Sequence, residues 1–548
     1  MTLRTLLGTL VAASAVQASP VPPPPIGSPN TVTADPPVAR PHTTPCRVQL
    51  FTDFDFADFS PKPFDYVPPA ACPGPWQKVV LEADYSVDPG RQFDRTATLW
   101  IGGVNVYFGT TAEPTRPPNP IGRSWHVERD ITDYTAVLLE PIAGRAELFN
   151  LVNGTYTSHL HGTADIAFYP LEDDDERGAR TADVVLPLSA SATGGTVPLS
   201  SESNALARTF TFPTNVERAY LDVVLQHQGA NDEFWYSCVP SDLSGPLQSC
   251  AGSAFREGEV SLDGQPAGVV PIYPWIFTGG IDPYLWRPIP AVQALNFVPY
   301  RVDLTPFAAV LNDARPHTLA INVSHDSNYF QTTASLMLFL DHGSRKVTGA
   351  VTVNTIGAPN PQIDDPAIDP AANPIVVTLK AISSRSFVVA GWVRTSHGKV
   401  HTEVRQRIDF SNVQNFFVAS GASTFEQKID QLTSISSTTT VRGGGRSGEM
   451  AVHMSWPLKV DLFSADDFNT GWTTKIHQAY DRSVQNGDFG SVLSNSGDWA
   501  DDYPTTTIQS GAHRYFFSDS EGGCYSRSIA ASGGVLTSVV EGAGCDGD

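Results

Sequence analysis

Asp130-Ile-Thr-Asp-Tyr-Thr-Ala-Val-Leu-Leu139 and Asp303-Leu-Thr-Pro-Phe-Ala-Ala-Val-Leu-Asn312 read as two versions of one segment. Neither is long enough for more than a turn or two of helix. Each is followed, after a short loop, by an apolar strand pattern: Arg145–Leu151 in the first case, His317–Val323 in the second. A polar stretch and another strand come next, Ala164–Tyr169 or Ser335–Leu340. Upstream of each lies a strand, a Gly turn and a strand: Leu99–Phe108, and Val260–Pro271 around Asp263-Gly264. Two copies of one β domain account for this order. Even spacing, Gly turns and few amphipathic helices point to an all-β chain with a pair of antiparallel sandwiches. A cleft between two such domains is a natural ligand site.

Outward from the repeat, the sequence divides at shifts of composition. Met1–Ala18 has a basic start, an apolar stretch and a small-residue end, the pattern of a secretory signal. Residues 19–45 are Pro-rich and are expected to form an extended linker without a core of their own. The first β domain spans 46–170, an acidic and polar linker 171–207, the second β domain 208–345, a Pro-rich break 346–374, and a third β-rich region 375–548. Among 548 residues, 41% are hydrophobic, enough for several cores. The formal net charge of −22 argues against a nucleic-acid partner, which needs basic patches. It suits a secreted protein in an acidic setting. No later run is long and apolar enough to span a bilayer. Six cysteines in a secreted chain favour disulfides, and sequence order suggests Cys46–Cys72, Cys238–Cys250 and Cys524–Cys545. Asn153-Gly-Thr155 and Asn322-Val-Ser324 are glycosylation sequons.

Three stretches carry residue types suited to chemistry. Gly90-Arg-Gln-Phe-Asp-Arg95 precedes a strand, Thr96–Ile101, that closes on the turn Gly102-Gly103. It places Asp94 and Arg95 side by side at a sheet end; an ion pair or turn cap is the plain alternative. His227-Gln-Gly-Ala-Asn-Asp-Glu-Phe-Trp-Tyr-Ser-Cys238 follows the alternating strand Ala219–Leu225 and interleaves acids with aromatics. Sugar clefts use that combination, because ring faces pack on C–H groups while acids accept hydroxyl hydrogen bonds; a solvated core corner is the alternative. The non-periodic run Thr278-Gly-Gly-Ile-Asp-Pro-Tyr-Leu-Trp-Arg-Pro288 indicates a structured loop able to present Trp286 and Arg287, or one that merely packs between domains. Nucleophile-elbow, zincin, P-loop and dinucleotide-binding patterns are absent. His159 and His161 share a strand face, but no third metal ligand is evident. No cofactor is expected.

With these motifs, and with Thr111-Ala-Glu-Pro114, Val127-Glu-Arg-Asp-Ile-Thr132 and Val302-Asp-Leu-Thr-Pro-Phe307, the chain resembles the peptide-N4-(N-acetyl-β-glucosaminyl)asparagine amidase A family, the plant and fungal peptide:N-glycanases. The match runs from about Cys46 to Leu340 and thins after Pro359. A more distant resemblance is to the flavobacterial-type peptide:N-glycanase, whose two eight-stranded jelly rolls imply tandem jelly rolls here. That resemblance implies catalytic roles for Asp94 and Glu233. It also implies substrate binding by Arg287. Arg95, Asp232, Trp235 and Trp286 are further candidates for substrate binding from their own stretches, with the tryptophans as aromatic walls. A further glutamate of that enzyme falls near Asn150–Asn153, where this chain has no acid. The implied reaction is metal-free hydrolysis of the GlcNAc–asparagine amide of N-glycopeptides and glycoproteins by a secreted monomer. A non-catalytic glycan-binding jelly-roll protein and a glycoside hydrolase using Asp94 and Glu233 are the alternatives.

Overall fold

The computed structural model describes residues 22–115, 118–171, 180–229, 231–419, 424–466 and 468–545. The signal pattern Met1–Ala18 and most of the acidic stretch after Pro170 lie outside the described residues. Eight strands build the first unit: β1 (Cys46–Phe56), β2 (Lys62–Tyr66), β3 (Trp76–Val87), β4 (Thr96–Ile101), β5 (Val104–Thr110), β6 (Arg123–Asp130), β7 (Ile142–Leu148) and β8 (Leu160–Pro170). They form two antiparallel sheets, ordered β1-β8-β3-β6 and β2-β7-β4-β5, which is the strand order of a jelly roll. Alternation decides which face packs inward. Val79, Leu81, Ala83, Tyr85 and Val87 of β3 enter one core with Ala97, Leu99 and Ile101 of β4. A fully buried side chain of this kind contributes roughly 1.5–3 kcal/mol.

The second unit repeats the plan. After an added strand β9 (Val184–Pro187) come β10 (Val197–Leu199), β11 (Leu206–Thr211), β12 (Val216–His227), β13 (Glu257–Leu262), β14 (Gln265–Pro271), β15 (Tyr300–Asp303), β16 (Pro316–Ser324) and β17 (Phe330–Leu340). Their sheets run β10-β17-β12-β15 and β11-β16-β13-β14, with β9 on the edge of β17. Strand by strand this is the first unit's order. The repeated segments occupy equivalent places: Thr132–Leu138 is a 3₁₀ turn after β6, and Thr305–Leu311 a 3₁₀ and α turn after β15. Strands β9, β10 and the start of β11 lie where a polar linker was expected. Their short apolar sets, with Leu199 and Leu206 fully buried, complete the second core.

The remaining strands, from Thr348–Asn354 to Val535–Glu541, form one eleven-stranded antiparallel sheet in chain order, apart from Gln362–Ile363, which pairs with Ile375–Thr395. Strands inside the Pro-rich break thus begin this sheet. Ile375–Thr395 and Gly398–Ala419 run 21 and 22 residues, about 70 Å at the usual rise. The inner face shares a core with the second jelly roll, where Phe387, Phe410, Trp456 and Trp499 join Trp275, Phe307 and Leu285. All three disulfides form as paired by sequence order.

Residues 22–45 differ from the expected free linker. They form a packed strap. Val32 and Ala34 are buried in the core shared with the C-terminal sheet. Val32 N donates to Pro288 O at 3.1 Å, Ala34 N to His513 Nδ1 at 3.0 Å, and Arg40 pairs with Glu82 and Glu128 at 2.6 and 2.8 Å. Proline-rich backbone has few donors to satisfy, so it can lie along an existing surface without a ladder of its own.

Candidate active site

Hairpin register sets the first half of the site. β4 pairs with β5 so that Thr96 faces Thr110. The residues before β4 therefore lie beside those after β5. Arg95 N donates to Thr111 Oγ1 at 2.9 Å and Thr111 N to Arg95 O at 2.9 Å. One step further, Asp94 N donates to Glu113 Oε1 at 3.0 Å. Glu113 was not singled out from the sequence. Counting back from the Gly102-Gly103 turn brings the residues just after β5 beside those just before β4, which places Glu113 near Asp94 but not directly across from it.

The second jelly roll supplies two loops. The connection from β14 to β15 brings Gly279 against both carboxylates: its N–H donates to Asp94, and a methyl group built at Gly279 would collide with Asp94 Oδ1 and Glu113 Oε1. Arg287, on the same loop, donates to Pro114 O at 2.8 Å and stands 3.6 Å from Glu113 Oε2. Thr278 Oγ1 donates to Thr111 O. Below these contacts the two units are stitched together by Thr110 N and Ala294 O at 2.8 Å, Phe297 N and Phe108 O at 2.8 Å, and Tyr107 Oη and Leu295 O at 2.6 Å.

The connection from β12 to β13 carries Glu233. Phe234 beside it packs on Gly280, and the Cys238–Cys250 disulfide pins the loop's far end. Glu233 is half-buried, as is Asp94. Burial, reinforced by the charge of Asp94, pushes the Glu233 carboxyl up to about 7. Burial also raises Asp94, opposed by the Arg95 guanidinium and the Gly279 N–H. Electrostatics thus links carboxyls contributed by both jelly rolls, a common feature of catalytic clusters.

Several residues expected to touch a ligand are placed differently. Asp232 is fully buried: it pairs with Arg256 Nε at 2.8 Å and accepts the N–H groups of Ser327, Asn328 and Tyr329. It anchors the Glu233 loop and has no face toward the cleft. Trp235 and Trp286 are 1% and 3% exposed. Trp235 packs against Phe410, while Trp286 packs against Trp499 and donates from Nε1 to Gly280 O at 2.8 Å. They hold the loops from behind, because a large ring between two packed domains gains most by full burial. Phe93, Tyr156, Phe234 and Tyr284, close to these groups in the chain or in space, are half-exposed. Phe93 packs at a tilt against Tyr156 at 5.2 Å, and Arg95 lies over Tyr156 at 5.7 Å. Arg95 also donates to Gln92 Oε1 at 2.7 Å, and Arg287 lies over Tyr284 at 4.4 Å. His227 is a core residue: it stacks on Phe277 at 5.3 Å, and burial pushes its imidazole down to about 3. His159 and His161 pair with Asp55 and Asp88 away from the cluster. Asn150 is buried, with its amide donating to Phe56 O at 2.7 Å.

A family model for peptide N-acetyl-β-D-glucosaminyl asparaginase amidase A matches residues 34–356, and one for the C-terminal domain of PNGase A matches residues 378–458. A peptide-N4-(N-acetyl-β-glucosaminyl)asparagine amidase A from Prunus dulcis is 32% identical over 407 residues, 69% of this chain and 67% of the relative. Among solved structures, PNGase F, a glycosylasparaginase from Flavobacterium meningosepticum, matches 54% of this chain and 96% of its own at 12% identity, TM-score 0.36. PNGF-II matches 54% of this chain and 66% of its own at 13% identity, TM-score 0.37.

Proposed function

The chain belongs to the peptide N-acetyl-β-D-glucosaminyl asparaginase amidase A family, and from that premise we propose how the residues at the domain junction divide the work. The reaction is hydrolysis of the amide between the first GlcNAc of an N-glycan and the asparagine side chain. Water adds to the amide carbon, the C–N bond breaks, and asparagine becomes aspartate while the glycan leaves as a glycosylamine. Such an amide needs an activated water, a stabilised oxyanion and a proton for the departing nitrogen.

Asp94 is the base that takes the proton from water. Its burial makes it a better base than an exposed aspartate, and the Gly279 N–H and backbone contact to Glu113 hold its loop in place. Glu233 is the acid. A carboxyl that titrates near 7 still carries its proton in an acidic medium and can give it to the leaving nitrogen. Arg95 and Arg287 supply positive charge for the developing oxyanion or for the substrate peptide. Glu113, between Asp94 and Arg287, orients both. The half-exposed aromatics Phe93, Tyr156, Phe234 and Tyr284 offer ring faces to the sugar. N-glycopeptides are the substrates, and three disulfides support an extracellular setting. Asn153 and Asn322 stand as candidate glycosylation sites; Asn153 is exposed in a turn beside Tyr156.

The observation that carries this reading is the convergence of Asp94 and Glu113 from one jelly roll on Gly279 of the other, with Glu233 within electrostatic reach. Its test is mass spectrometry of a short N-glycopeptide incubated with the purified protein in ¹⁸O water under acidic conditions. An aspartate carrying ¹⁸O, with the whole glycan released, is expected, and Asp94→Asn should abolish it. Full activity in Asp94→Asn would overturn the assignment; GlcNAc retained on asparagine would point to a glycosidase.

A further inference from the structure

The loop that carries Gly279 and Arg287 is held from behind by the C-terminal sheet, chiefly by its strand Phe489–Tyr503. Trp499 of that strand packs at a tilt against Trp286 at 5.2 Å and donates from Nε1 to Ile289 O at 3.0 Å. Tyr503 stacks on Tyr284 at 5.5 Å, and Gln509 Nε2 donates to Arg287 O at 2.7 Å. On the neighbouring strand, Gln478 accepts Val292 N–H at 3.1 Å. Between these contacts two carboxyls meet, Asp282 of the loop and Asp501 of the strand, both 0% exposed.

Each lies close enough to act on the charge of the other. Asp282 Oδ1 also accepts the Tyr284 N–H at 2.9 Å. Asp282 Oδ2 and both oxygens of Asp501 meet no donor among the described residues. The surrounding charge does not neutralise two carboxylates. Arg287, on the loop itself, is the cation that acts on Asp282, and Asp502 adds a further negative charge beside Asp501. Across the strand pair, Asp501 faces Thr474, a neutral residue. Two buried carboxyls without a donor between them can join only by sharing a proton.

We propose that Asp501 is a positioning residue for the amidase reaction: through one proton shared with Asp282, it holds the loop that presents Gly279 and Arg287 to Asp94 and Glu113. This rests on the reading of the site given above. Burial and the facing charge raise Asp501 to about 7 and raise Asp282 as well. Below that pH the pair is joined; above it the proton leaves, two buried negative charges repel, and the loop is pushed off the catalytic carboxylates. The C-terminal region then does more than cover apolar surface: it makes the geometry of the site dependent on acid.

The test compares Asp501→Asn, Asp501→Ala and wild type by kcat against pH, with infrared spectra of the full-length protein. An Asn side chain donates to Asp282 at every pH without needing the shared proton. Wild type should lose kcat above about 7 with a slope of two protons, one from Glu233 and one from this pair. Asp501→Asn should keep kcat in acid to within about threefold and lose activity with a slope of one. Asp501→Ala should fall at least about tenfold in kcat at every pH with little change in KM. The difference spectrum of wild type minus Asp501→Asn in acid, in which the Glu233 band cancels, should show one further protonated-carboxyl band, and wild type should lose it on raising the pH. If Asp501→Asn reproduces the wild-type profile, or no such band exists, the proposal is overturned. A wild type that never converts asparagine to aspartate would overturn the function reading and the positioning role with it. The carboxyl band would separate that outcome from failure of the proton pair alone.

Discussion

Replacing Gly279 by Ala adds one methyl group at the point where the two jelly rolls meet over the reacting carboxylates. Its backbone does not require glycine, since its φ lies outside the left-handed region. The effect is therefore steric. The methyl would overlap Asp94 Oδ1 and Glu113 Oε1, the carboxylate ends of both side chains. Asp94 is fixed by its own N–H to Glu113, and Glu113 is buried beside Arg287. Relief requires the loop or the carboxylates to move by about 1 Å. A displacement of that size at a reacting centre costs on the order of 10²-fold in rate, or about 2.7 kcal/mol of transition-state stabilisation. Overpacking would lower stability by about 1–3 kcal/mol. The assay is kcat and KM on a defined N-glycopeptide, with urea unfolding in parallel. Gly245→Ala is the control, because nothing lies within 4 Å of the position its methyl would occupy. Gly279→Ala within about threefold of wild type in kcat would refute the claim that Asp94 and Glu113 act from where the structure places them.

Glu233 should shape the alkaline side of the pH profile. It carries its proton below about 7 and loses it above, so activity should fall as pH rises through that value; Glu233→Gln should lose most activity, and what remains should lack that one-proton fall. Asp232→Ala should be destabilised by roughly 3–5 kcal/mol, because it leaves the buried Arg256 without its counter-charge; a stable variant with only a raised KM would restore Asp232 to the substrate. Trp499→Ala should cost about 3–5 kcal/mol in urea unfolding and lower kcat more than KM, since the ring it removes supports Trp286 rather than any sugar.

The architecture was legible because period-2 alternation and the two Asp-x-Thr segments survive in both copies, and every strand they flank takes the same place in its jelly roll. Orientation of individual loop side chains was not. Asp232 and Glu233 are neighbours of like chemistry, yet one turns inward to Arg256 and the other faces Asp94; no periodicity operates in a loop to separate them. Trp235 and Trp286 failed as cleft walls for a related reason. Their burial depends on Phe410 and Trp499, distant in the chain and on a sheet that the repeat does not include. The strap at residues 22–45 was missed because proline composition reports what a segment cannot build, not what it can lie on.

Glu113 is a different case, since the repeat itself points to it. Asp94 and Glu233 occupy the same connection in the two jelly rolls, β3 to β4 and β12 to β13. Glu113 and Gly279 likewise share one, β5 to β6 and β14 to β15. The site is thus the same pair of loops contributed twice and brought face to face. The two halves cannot be identical, because one carboxylate occupies the space that a side chain on the opposite loop would fill. Glu113 on the first copy's loop meets Gly279 on the second copy's, and the absence of a side chain there is what allows Asp94 and Glu113 to close against the second domain. Following both copies of that connection to the junction gives a role to the acid that the motif Thr111-Ala-Glu-Pro114 contained without one.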